Sequence, residues 1–347
     1  MKIKAFITHK QKEEYKDCQD RFSVNPDTKS VAMSDGMSSS VFQSIWAELL
    51  VTSYTQCSDW IPTDDNIKNL ASTWYKKAEE AANSNPSESS KRRGRNSLRL
   101  GQSAGATFVG IRIVKNSLNG IVLGDSCLVH ISSDNSINEM LTSQEGEFNN
   151  FPDYFDSNPK KIRKGKIKEF KLDIKEDEKV IMVSDPFSDF LYMKREERKE
   201  APYIEEILKL QTHEEFCSLV ERWREEGMHN DDSTLIIMEN WQTEKWDTNC
   251  DNIDSLIDNQ KGTILSTLSP ENQDEENQEL NENNTSLCDD VLKLIKDSFN
   301  NIFEDFVSFK VKQNKVNKKE IKNKRISDFV QKLLNVIKKH ESTTNNN

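Results

Sequence analysis

The sequence has no run of about 18 consecutive apolar residues, which is the length that a membrane-spanning helix requires. We therefore expect no transmembrane segment. The apolar stretch near the N-terminus is also much shorter than the core of a secretory signal peptide. A cytoplasmic protein is the expectation that follows.

Closely spaced cysteine pairs are missing as well. No two of the cysteines have the CxxC spacing of a zinc ligand pair, so we expect no zinc site. Scattered single cysteines fit a reducing compartment better than a disulfide framework. The six cysteines are Cys18, Cys57, Cys127, Cys217, Cys250 and Cys288.

Positive charge is scarce relative to negative charge, and the formal net charge is -11. This balance argues against a protein that binds nucleic acid through general electrostatics, because the phosphate backbone requires a basic surface. An excess of acid agrees with a site built from carboxylates. It agrees equally with simple solubility, and composition alone does not separate the two.

Short apolar runs separated by turn signals fill residues 1–242, and helical spacing of apolar residues interrupts them in two places. Residues 84–102 are rich in Ser, Asn and Arg and are predicted to be a loop. Antiparallel hairpins with inserted helices predict an α+β fold and not the regular alternation of a parallel sheet. Helices are predicted over residues 38–56, 64–83, 186–195, 202–210 and 213–226.

The composition changes beyond residue 242. Residues 243–286 are rich in Asn, Asp, Gln and Glu, which predicts a polar, disordered linker. Residues 287–340 have apolar positions at helical spacing in two stretches, which predicts two amphipathic helices. Their apolar faces could form a helical hairpin, dock on residues 1–242 or bind a partner, and contact with a membrane surface is less favoured.

Acidic residues stand at the ends of the predicted strands, where rigid elements can bring them to one rim of a sheet. Converged carboxylates repel each other, so they take up protons or bind cations. Carboxylate oxygens suit Mg²⁺ or Mn²⁺, and two such ions can activate a water and polarise a phosphoryl oxygen. Taken singly, each aspartate is better explained as a turn or cap residue, whereas the whole series favours metal chemistry. The series is Asp20, Asp35, Asp125, Asp185, Asp231 and Asp232.

The order and spacing of these acids resemble the type-2C metal-dependent Ser/Thr protein phosphatases, the PPM family, and in particular a divergent bacterial branch. The resemblance covers about residues 1–242. Each motif alone is a weak signal, but five motifs in the same order are specific. The motifs read QDRF, DG entering a helix, GATFVGIRIVKNSLNGIVLGDS, SDPFSD and DDSTL.

The resemblance implies a central sandwich of two antiparallel sheets flanked by helix pairs, with a metal site at one end. It implies a phosphoprotein substrate and two Mn²⁺ or Mg²⁺ ions, with a third ion in some bacterial members. Phosphoester hydrolysis would proceed by direct attack of a water or hydroxide that bridges the two ions. Members of the branch tend to be encoded beside a Ser/Thr kinase and a von Willebrand A-type protein, which makes both of them candidate partners.

Roles for individual residues also come from the resemblance. Asp35 would bridge the two ions, Asp185 and Asp231 would hold one of them, and the Gly36 carbonyl would hold the other. Asp20 would hold metal-bound waters.

A third ion is a further implication of the resemblance. It would lie at Asp125 and Asp189, which match positions that hold such an ion in some bacterial members.

Three departures from the family pattern favour an alternative function. Gln19 stands where the family commonly has Glu, and Pro186 stands where it has Gly. Tyr15 stands where it has an Arg that grips phosphate, although Lys12 and Lys16 lie nearby. The chain could therefore be a pseudophosphatase that binds a phosphoprotein without efficient turnover. A scaffold acting through its C-terminal helices is compatible with either function.

Two other features have functional and structural interpretations. His229 could donate a proton to the leaving group, but a histidine without this role is the more common case. The basic run Lys91–Arg95 could bind an acidic surface of a partner, and a solvated loop is the simpler explanation.

Overall fold

A computed structural model describes residues 1–115, 117–144, 152–241, 243 and 245–267, with the backbone alone for residues 262–267. One compact unit spans Met1–Leu265, and a second spans Ser266–Asn347, of which the first two residues are described. The predicted amphipathic helices of residues 287–340, and the predicted linker beyond residue 267, lie outside the described residues.

Most elements of the described residues follow the predicted order of hairpins and helix insertions. The strands are β1 (Lys2–Thr8), β2 (Arg21–Asn25), β3 (Ser30–Ser34), β4 (Gly105–Ala106), β5 (Phe108–Val114), β6 (Ser117–Leu123), β7 (Cys127–Ile131), β8 (Ile137–Leu141), β9 (Tyr154–Asp156), β10 (Arg163–Lys164), β11 (Lys168–Asp173), β12 (Lys179–Val183), β13 (Ser233–Glu239) and β14 (Asp247–Cys250). The helices are α1 (Gln43–Gln56), α2 (Asp64–Ser84), α3 (Glu88–Arg99), α4 (Asp185–Glu196), α5 (Glu200–Lys209), α6 (His213–Glu225) and α7 (Ile253–Thr267), and a short 3₁₀ helix (Tyr15–Asp17) precedes β2.

The strands form two large sheets and one small one. The first sheet has the order β14-β1-β13-β12-β7-β8, and the second has the order β11-β6-β5-β3-β2. The small sheet has the order β10-β9-β4. Within the large sheets the described neighbours pair antiparallel, except that β14 runs parallel to β1.

The two large sheets pack face to face. Successive residues of a strand point to opposite sides, so each strand supplies one set of side chains to the layer between the sheets and the other set to the layer beneath the helices. Val180 of β12 joins the apolar cluster between the sheets, whereas its neighbour Ile181 packs beneath α4, α5 and α6. Val31 of β3 joins the same central cluster, whereas Ala32 packs beneath α1 and α2. This arrangement of helices, sheet, sheet and helices confirms the predicted α+β sandwich.

Helix α6 is fixed at both its start and its inner face. Thr212 and Glu215 form a reciprocal capping box at its N-terminus. Phe216 and Trp223 are fully buried, and the Trp223 ring lies 5.5 Å from the Phe187 ring on α4. The side chains on the first turns of α6 therefore have defined positions beside β1.

The segment predicted to be a loop, residues 84–102, instead contains helix α3. Ser87 caps this helix by accepting a hydrogen bond from the Ser90 N–H at 3.4 Å, and Lys91 pairs with Glu88 at 2.8 Å. Leu98 is 6% exposed and packs in the cluster beneath α1 and α2. The polar composition did not predict this helix, because a surface helix that packs against a neighbouring helix needs few buried apolar side chains.

The segment predicted to be a linker from residue 243 contains β14 and α7 as far as residue 267. The parallel pairing of β14 with β1 runs from Lys2 opposite Asp247 to Ala5 opposite Cys250. The Asp251 N–H then donates to the Ala5 carbonyl at 2.8 Å. An edge strand gains backbone hydrogen bonds whatever its side chains are, so the polar composition of this segment did not indicate a strand. None of the described helices is long and apolar enough to cross a membrane.

Candidate active site

Several strand ends meet at one end of the sandwich. In the second sheet β3 ends beside the start of β2, with Ser34 opposite Arg21. In the first sheet β12 ends beside the start of β13, with Val183 opposite Leu235. The acids that flank these strands consequently lie within electrostatic reach of one another.

Asp20 links the two sheets at this end. It precedes β2, is 1% exposed, and its Oδ2 accepts a hydrogen bond from Thr234 Oγ1 of β13 at 2.7 Å. Burial, and then the charge of Asp232, raises the pKa of Asp20 to about 7 although the bond from Thr234 opposes the shift. The buried carboxylate is therefore stable near neutral pH only with a proton or a cation beside it.

Asp35 follows β3 and is positioned by its backbone. Its N–H donates to Thr107 Oγ1 at 3.2 Å, and its carbonyl accepts from the Thr107 N–H at 2.8 Å. A Cβ on the next residue, Gly36, would lie 2.9 Å from the Gln19 carbonyl oxygen, so this close approach requires glycine. Burial, followed by the charge of Asp20, raises the pKa of Asp35 well above its usual range.

Asp185 is the first residue of α4 and directly follows β12. Burial raises its pKa well above the usual range, and the charges of Asp125 and Asp231 add to the shift. Pro186 lies in the first turn of α4, where a missing N–H removes no helical hydrogen bond. This departure from the family pattern is therefore compatible with the position of Asp185.

Asp232 has a role that the sequence did not assign. It is 3% exposed and accepts backbone hydrogen bonds from Lys10 at 3.0 Å and Gln19 at 2.7 Å. Burial raises its pKa, and these two bonds oppose the rise. The period-two pattern could have identified Asp232, because it falls in step with the inward-facing Ile236 and Met238 of β13.

Lys10 brings positive charge to Asp231, which is the predicted metal ligand before β13. The Lys10 Nζ lies 3.4 Å from Asp231 Oδ1 and 3.6 Å from Glu13 Oε1. Burial lowers the pKa of Lys10, but the negative charges of Asp231 and Asp232 outweigh the effect of burial, and the Lys10 pKa is raised. Lys16, one of the lysines noted near the site in the sequence, is exposed and pairs with Glu14 instead.

Asp125 lies in the turn after β6 and is 4% exposed. Gly124 makes this turn at a φ of +107°, and a Cβ there would lie 2.7 Å from the Asp153 carbonyl oxygen. Burial raises the pKa of Asp125 to about 6, while the backbone N–H groups of Asp125 and Ser126 oppose the rise. Its charge is also the largest contribution, after burial, to the raised pKa of Asp185.

Asp189 lies one turn after Asp185 on α4 and pairs with His229. The His229 Nε2 is 2.9 Å from Asp189 Oδ2, and the His229 side chain is 74% exposed. This contact joins α4 to the loop before β13. The predicted third ion between Asp125 and Asp189, and proton donation by His229, remain predictions.

The acids differ in their access to solvent. Asp35, Asp185 and Asp231 keep part of their surface exposed, although protein atoms still desolvate the carboxyl groups of Asp35 and Asp185. Asp20 and Asp125 are buried. The Oδ1 atoms of Asp20 and Asp125 are buried and have no hydrogen-bond partner. A buried, unpaired polar atom costs on the order of 1–3 kcal/mol, and more when it is charged. Partly exposed carboxylates together with unpaired buried carboxylate oxygens are the kind of ligands that a hard divalent cation takes.

The carboxylates are near one another without being gathered around one point. Among the described residues, no group of three Asp, Glu, His or Cys side chains forms a ready-made metal site. Their mutual influence on pKa nevertheless places them in one electrostatic cluster.

The two other departures from the family pattern have defined contacts. Gln19 Oε1 accepts a hydrogen bond from Ser38 Oγ at 3.0 Å. The hydroxyl of Tyr15 lies 2.8 Å from His213 Nε2 on α6. Tyr15 thus packs on the helix layer. Lys10 contacts the carboxylate of Asp231, and Arg224 donates to the Asp231 backbone carbonyl at 2.7 Å.

Comparison with known proteins agrees with the resemblance inferred from the motifs. A family model described as protein phosphatase 2C matches residues 9–233. No similar sequence was found among the curated proteins.

Solved structures similar to this chain include bacterial phosphatases. Serine/threonine phosphatase Stp1 from Staphylococcus aureus is 15% identical, with 68% of this chain and 93% of that chain covered and a TM-score of 0.44. The catalytic domain of serine threonine protein phosphatase PstP, in complex with 2 manganese ions, is 12% identical, with 68% and 96% covered and a TM-score of 0.43. PppA, described as a regulatory component of T6SS in Pseudomonas aeruginosa, is 12% identical, with 68% and 96% covered and a TM-score of 0.41.

Proposed function

Because this chain belongs to the protein phosphatase 2C family, we propose that it is a Ser/Thr protein phosphatase that hydrolyses phosphoserine and phosphothreonine esters at the aspartate-lined end of its sandwich. The family is metal dependent, and we propose two Mn²⁺ or Mg²⁺ ions for this chain. One observation carries the proposal: acids from distant segments share one electrostatic cluster in which two buried oxygens, Asp20 Oδ1 and Asp125 Oδ1, lack hydrogen-bond partners.

The partly exposed acids are the proposed ligands. Asp35 would contact both ions, Asp185 and Asp231 would hold one, and the Gly36 carbonyl would hold the other. When bound, the ions would activate a water for direct attack and polarise the phosphoryl group. Asp20, fixed by Thr234, would accept hydrogen bonds from water at the site.

We assign the phosphate-binding role to Lys10, because Tyr15 occupies the position of the family's arginine. Its ammonium group contacts Asp231 and has a raised pKa, so it is charged at neutral pH. Two hydrogen bonds also fix its backbone segment to Asp232, one from its own N–H and one from Gln19. A lysine supplies a point charge and not a bidentate fork, so it would hold the phosphate less specifically than arginine does.

A pseudophosphatase remains the second candidate, because the Tyr15 hydroxyl contacts α6 and brings no cation to the site. The two candidates differ in metal affinity. Two tight Mn²⁺ sites measured by calorimetry would count against the pseudophosphatase, and weak metal binding by folded protein would favour it.

The decisive experiment is hydrolysis of p-nitrophenyl phosphate by the purified protein. We expect turnover with Mn²⁺ that EDTA removes and that Asp35→Asn abolishes. Asp27→Asn is the matched control, because Asp27 is an exposed turn residue between β2 and β3. Turnover that persists in EDTA, or folded protein without turnover, would refute the proposal.

The remaining predictions concern partners and the C-terminal region. We keep a Ser/Thr kinase and a von Willebrand A-type protein as proposed partners, and residues 287–340 as the proposed partner-binding segment. Because β14 pairs with β1, a test of this segment should cut the chain after residue 267 and not near 245. A pull-down with full-length and shortened protein then shows whether the segment captures either partner.

A further inference from the structure

A second cluster of reactive groups lies on α6, outside the acidic site. His213 and Cys217 are one helical turn apart, and Cys217 Sγ lies 3.3 Å from His213 Nε2. The other ring nitrogen, Nδ1, donates to Asp251 Oδ2 at 2.7 Å. The Ile7 N–H fixes the same carboxylate oxygen at 2.9 Å. Thiol, imidazole and carboxylate therefore form one continuous chain of contacts.

This order of groups activates a thiol. The imidazole takes the thiol proton, and the carboxylate behind it orients and stabilises the imidazolium. The hydrogen bond to Asp251, followed by the one to Cys217, raises the pKa of His213 to about 10. Burial opposes ionisation of Cys217, but the hydrogen bond and charge of His213 outweigh it and lower the Cys217 pKa.

Two hydroxyl groups complete the surroundings of the sulfur. Thr8 Oγ1 lies 3.7 Å and the Tyr15 hydroxyl 3.8 Å from Cys217 Sγ. Burial raises the pKa of Tyr15, so its hydroxyl stays protonated and can donate to a thiolate. The thiolate is thus supported by groups from β1, the 3₁₀ helix, α6 and the residue after β14.

The other cysteines in the described part of the chain have different environments. Burial raises the pKa of Cys18 and Cys127, and it raises the pKa of Cys250 to about 11. Cys57 is exposed. Cys217 combines partial exposure with an adjacent imidazole and carboxylate, which is the environment of a reactive thiol.

We propose that Cys217 is a modification site, a thiolate that His213 and Asp251 activate for exchange with low-molecular-weight disulfides. The thiolate attacks one sulfur of the small disulfide, whose S–S bond breaks as the new S–S bond forms. The leaving thiolate takes the proton from His213 Nε2 and departs as a thiol. The small disulfide is the oxidant, so Cys217 is oxidised as one half of that disulfide is reduced.

The modification has a route to the acidic site. The Tyr15 hydroxyl contacts His213 at 2.8 Å, and the Tyr15 N–H donates to Gln260 Oε1 at 2.9 Å. Four residues later, the Gln19 N–H donates to Asp232. A group attached to Cys217 Sγ takes the space beside the Tyr15 hydroxyl and displaces this segment. We therefore expect lower phosphatase activity, a consequence that rests on the proposed function, whereas the thiol chemistry does not.

The test measures adduct formation on the full-length protein with oxidised glutathione at about pH 7. Peptide mass spectrometry gives the rates at Cys217 and, as an internal reference, at Cys57. We expect His213→Gln to slow modification of Cys217 about tenfold, because an unassisted thiol is only a few per cent ionised at neutral pH. The rate at Cys57 should not change. Asp251→Asn should slow Cys217 less, and it serves as the second variant if His213→Gln fails to fold.

Two results would overturn the modification site. One is folded wild-type protein in which Cys57 but not Cys217 reacts. The other is an unchanged Cys217 rate in both variants.

The link to activity has a separate readout. After labelling, hydrolysis of p-nitrophenyl phosphate should fall in the wild type, recover with dithiothreitol and stay constant in Cys217→Ser. Full activity of labelled wild type would overturn the link. Protein that is inactive before labelling would count against the proposed function and leave the adduct rates interpretable.

Discussion

The acidic end of the sandwich and the Cys217 cluster both bury ionisable groups, but they balance charge in opposite ways. At the acidic end, burial and like charges raise the pKa of Asp20, Asp35 and Asp185. In the Cys217 cluster unlike charges meet, so the pKa of His213 rises and that of Cys217 falls. The first site needs a proton or cation from solution, whereas in the second the His213 imidazolium lies between the Cys217 thiolate and the Asp251 carboxylate. Metal ions should therefore act strongly on the first site and little on the second.

The largest effect is expected for Asp185→Ala. It removes a proposed ligand, and we expect kcat/KM for p-nitrophenyl phosphate with Mn²⁺ to fall by about three orders of magnitude, near the upper cost of deleting one group that stabilises a transition state. The rate of Cys217 modification by oxidised glutathione should not change. A variant that loses both activity and thiol reactivity would show that the two regions are not independent.

Stability should depend on pH and metal through the buried acids. The folded pKa of Asp20 is about 7 and that of Asp125 about 6, against about 4 in an unfolded chain. Between these values the folded state binds more protons than the unfolded chain does. Without metal, the stability that these two acids contribute is therefore fully present below about pH 4 and is lost as the pH rises to about 7. We expect the melting temperature in EDTA to fall from about pH 5 to about pH 7.

Saturating Mn²⁺ should reduce this pH dependence, because a cation takes over the role of the protons. Calorimetric scans with EDTA and with Mn²⁺ at each pH provide the comparison. A melting temperature in EDTA that rises over the same interval, with no gain from Mn²⁺ at the upper end, would contradict the assignment of these acids.

A smaller effect is expected for Lys10→Ala. Losing a charge-assisted contact of about 1.5 kcal/mol should weaken substrate binding about tenfold, seen mainly as a higher KM. Lys12→Ala is the matched control, since Lys12 lies two residues away and is exposed. Equal KM values for the two variants would remove Lys10 from the proposed phosphate site.

The smallest effect is expected for a chain that ends after residue 267. It keeps β14, Asp251 and Gln260, so kcat/KM and Cys217 modification should both stay within about twofold of the full-length values, as expected when no contact of either site is removed. A chain that ends after residue 245 loses Asp251, and its Cys217 should react more slowly. Loss of activity in the longer of the two chains would show that residues beyond 267 contribute to the catalytic unit.

The sequence predicted the α+β sandwich because strands leave a local signal, whereas the metal-binding roles of its acidic residues stay predictions. Alternating apolar runs indicated the strands. Asp35 and Asp125 each stand next to a glycine, Gly36 or Gly124, at which a Cβ would lie 2.9 Å or 2.7 Å from a backbone carbonyl oxygen. The sequence prediction failed for α3, whose polar surface needs only Leu98 as an anchor. It also failed for β14 and the start of α7, because backbone pairing at a sheet edge leaves no hydrophobic signal.

The sequence by itself determined which residues could supply metal ligands, since each proposed ligand flanks its own strand and needs no distant partner to be recognised. Only the tertiary structure decided which groups act together. Lys10 meets Asp231, and His213 meets Asp251, across 221 and 38 residues of chain. The spacing of His213 and Cys217 is visible in the sequence, but its meaning depends on Asp251 and Tyr15. The reason is physical: charge and hydrogen bonding act through distances of a few ångströms, and such distances between remote residues are set by strand pairing and helix packing.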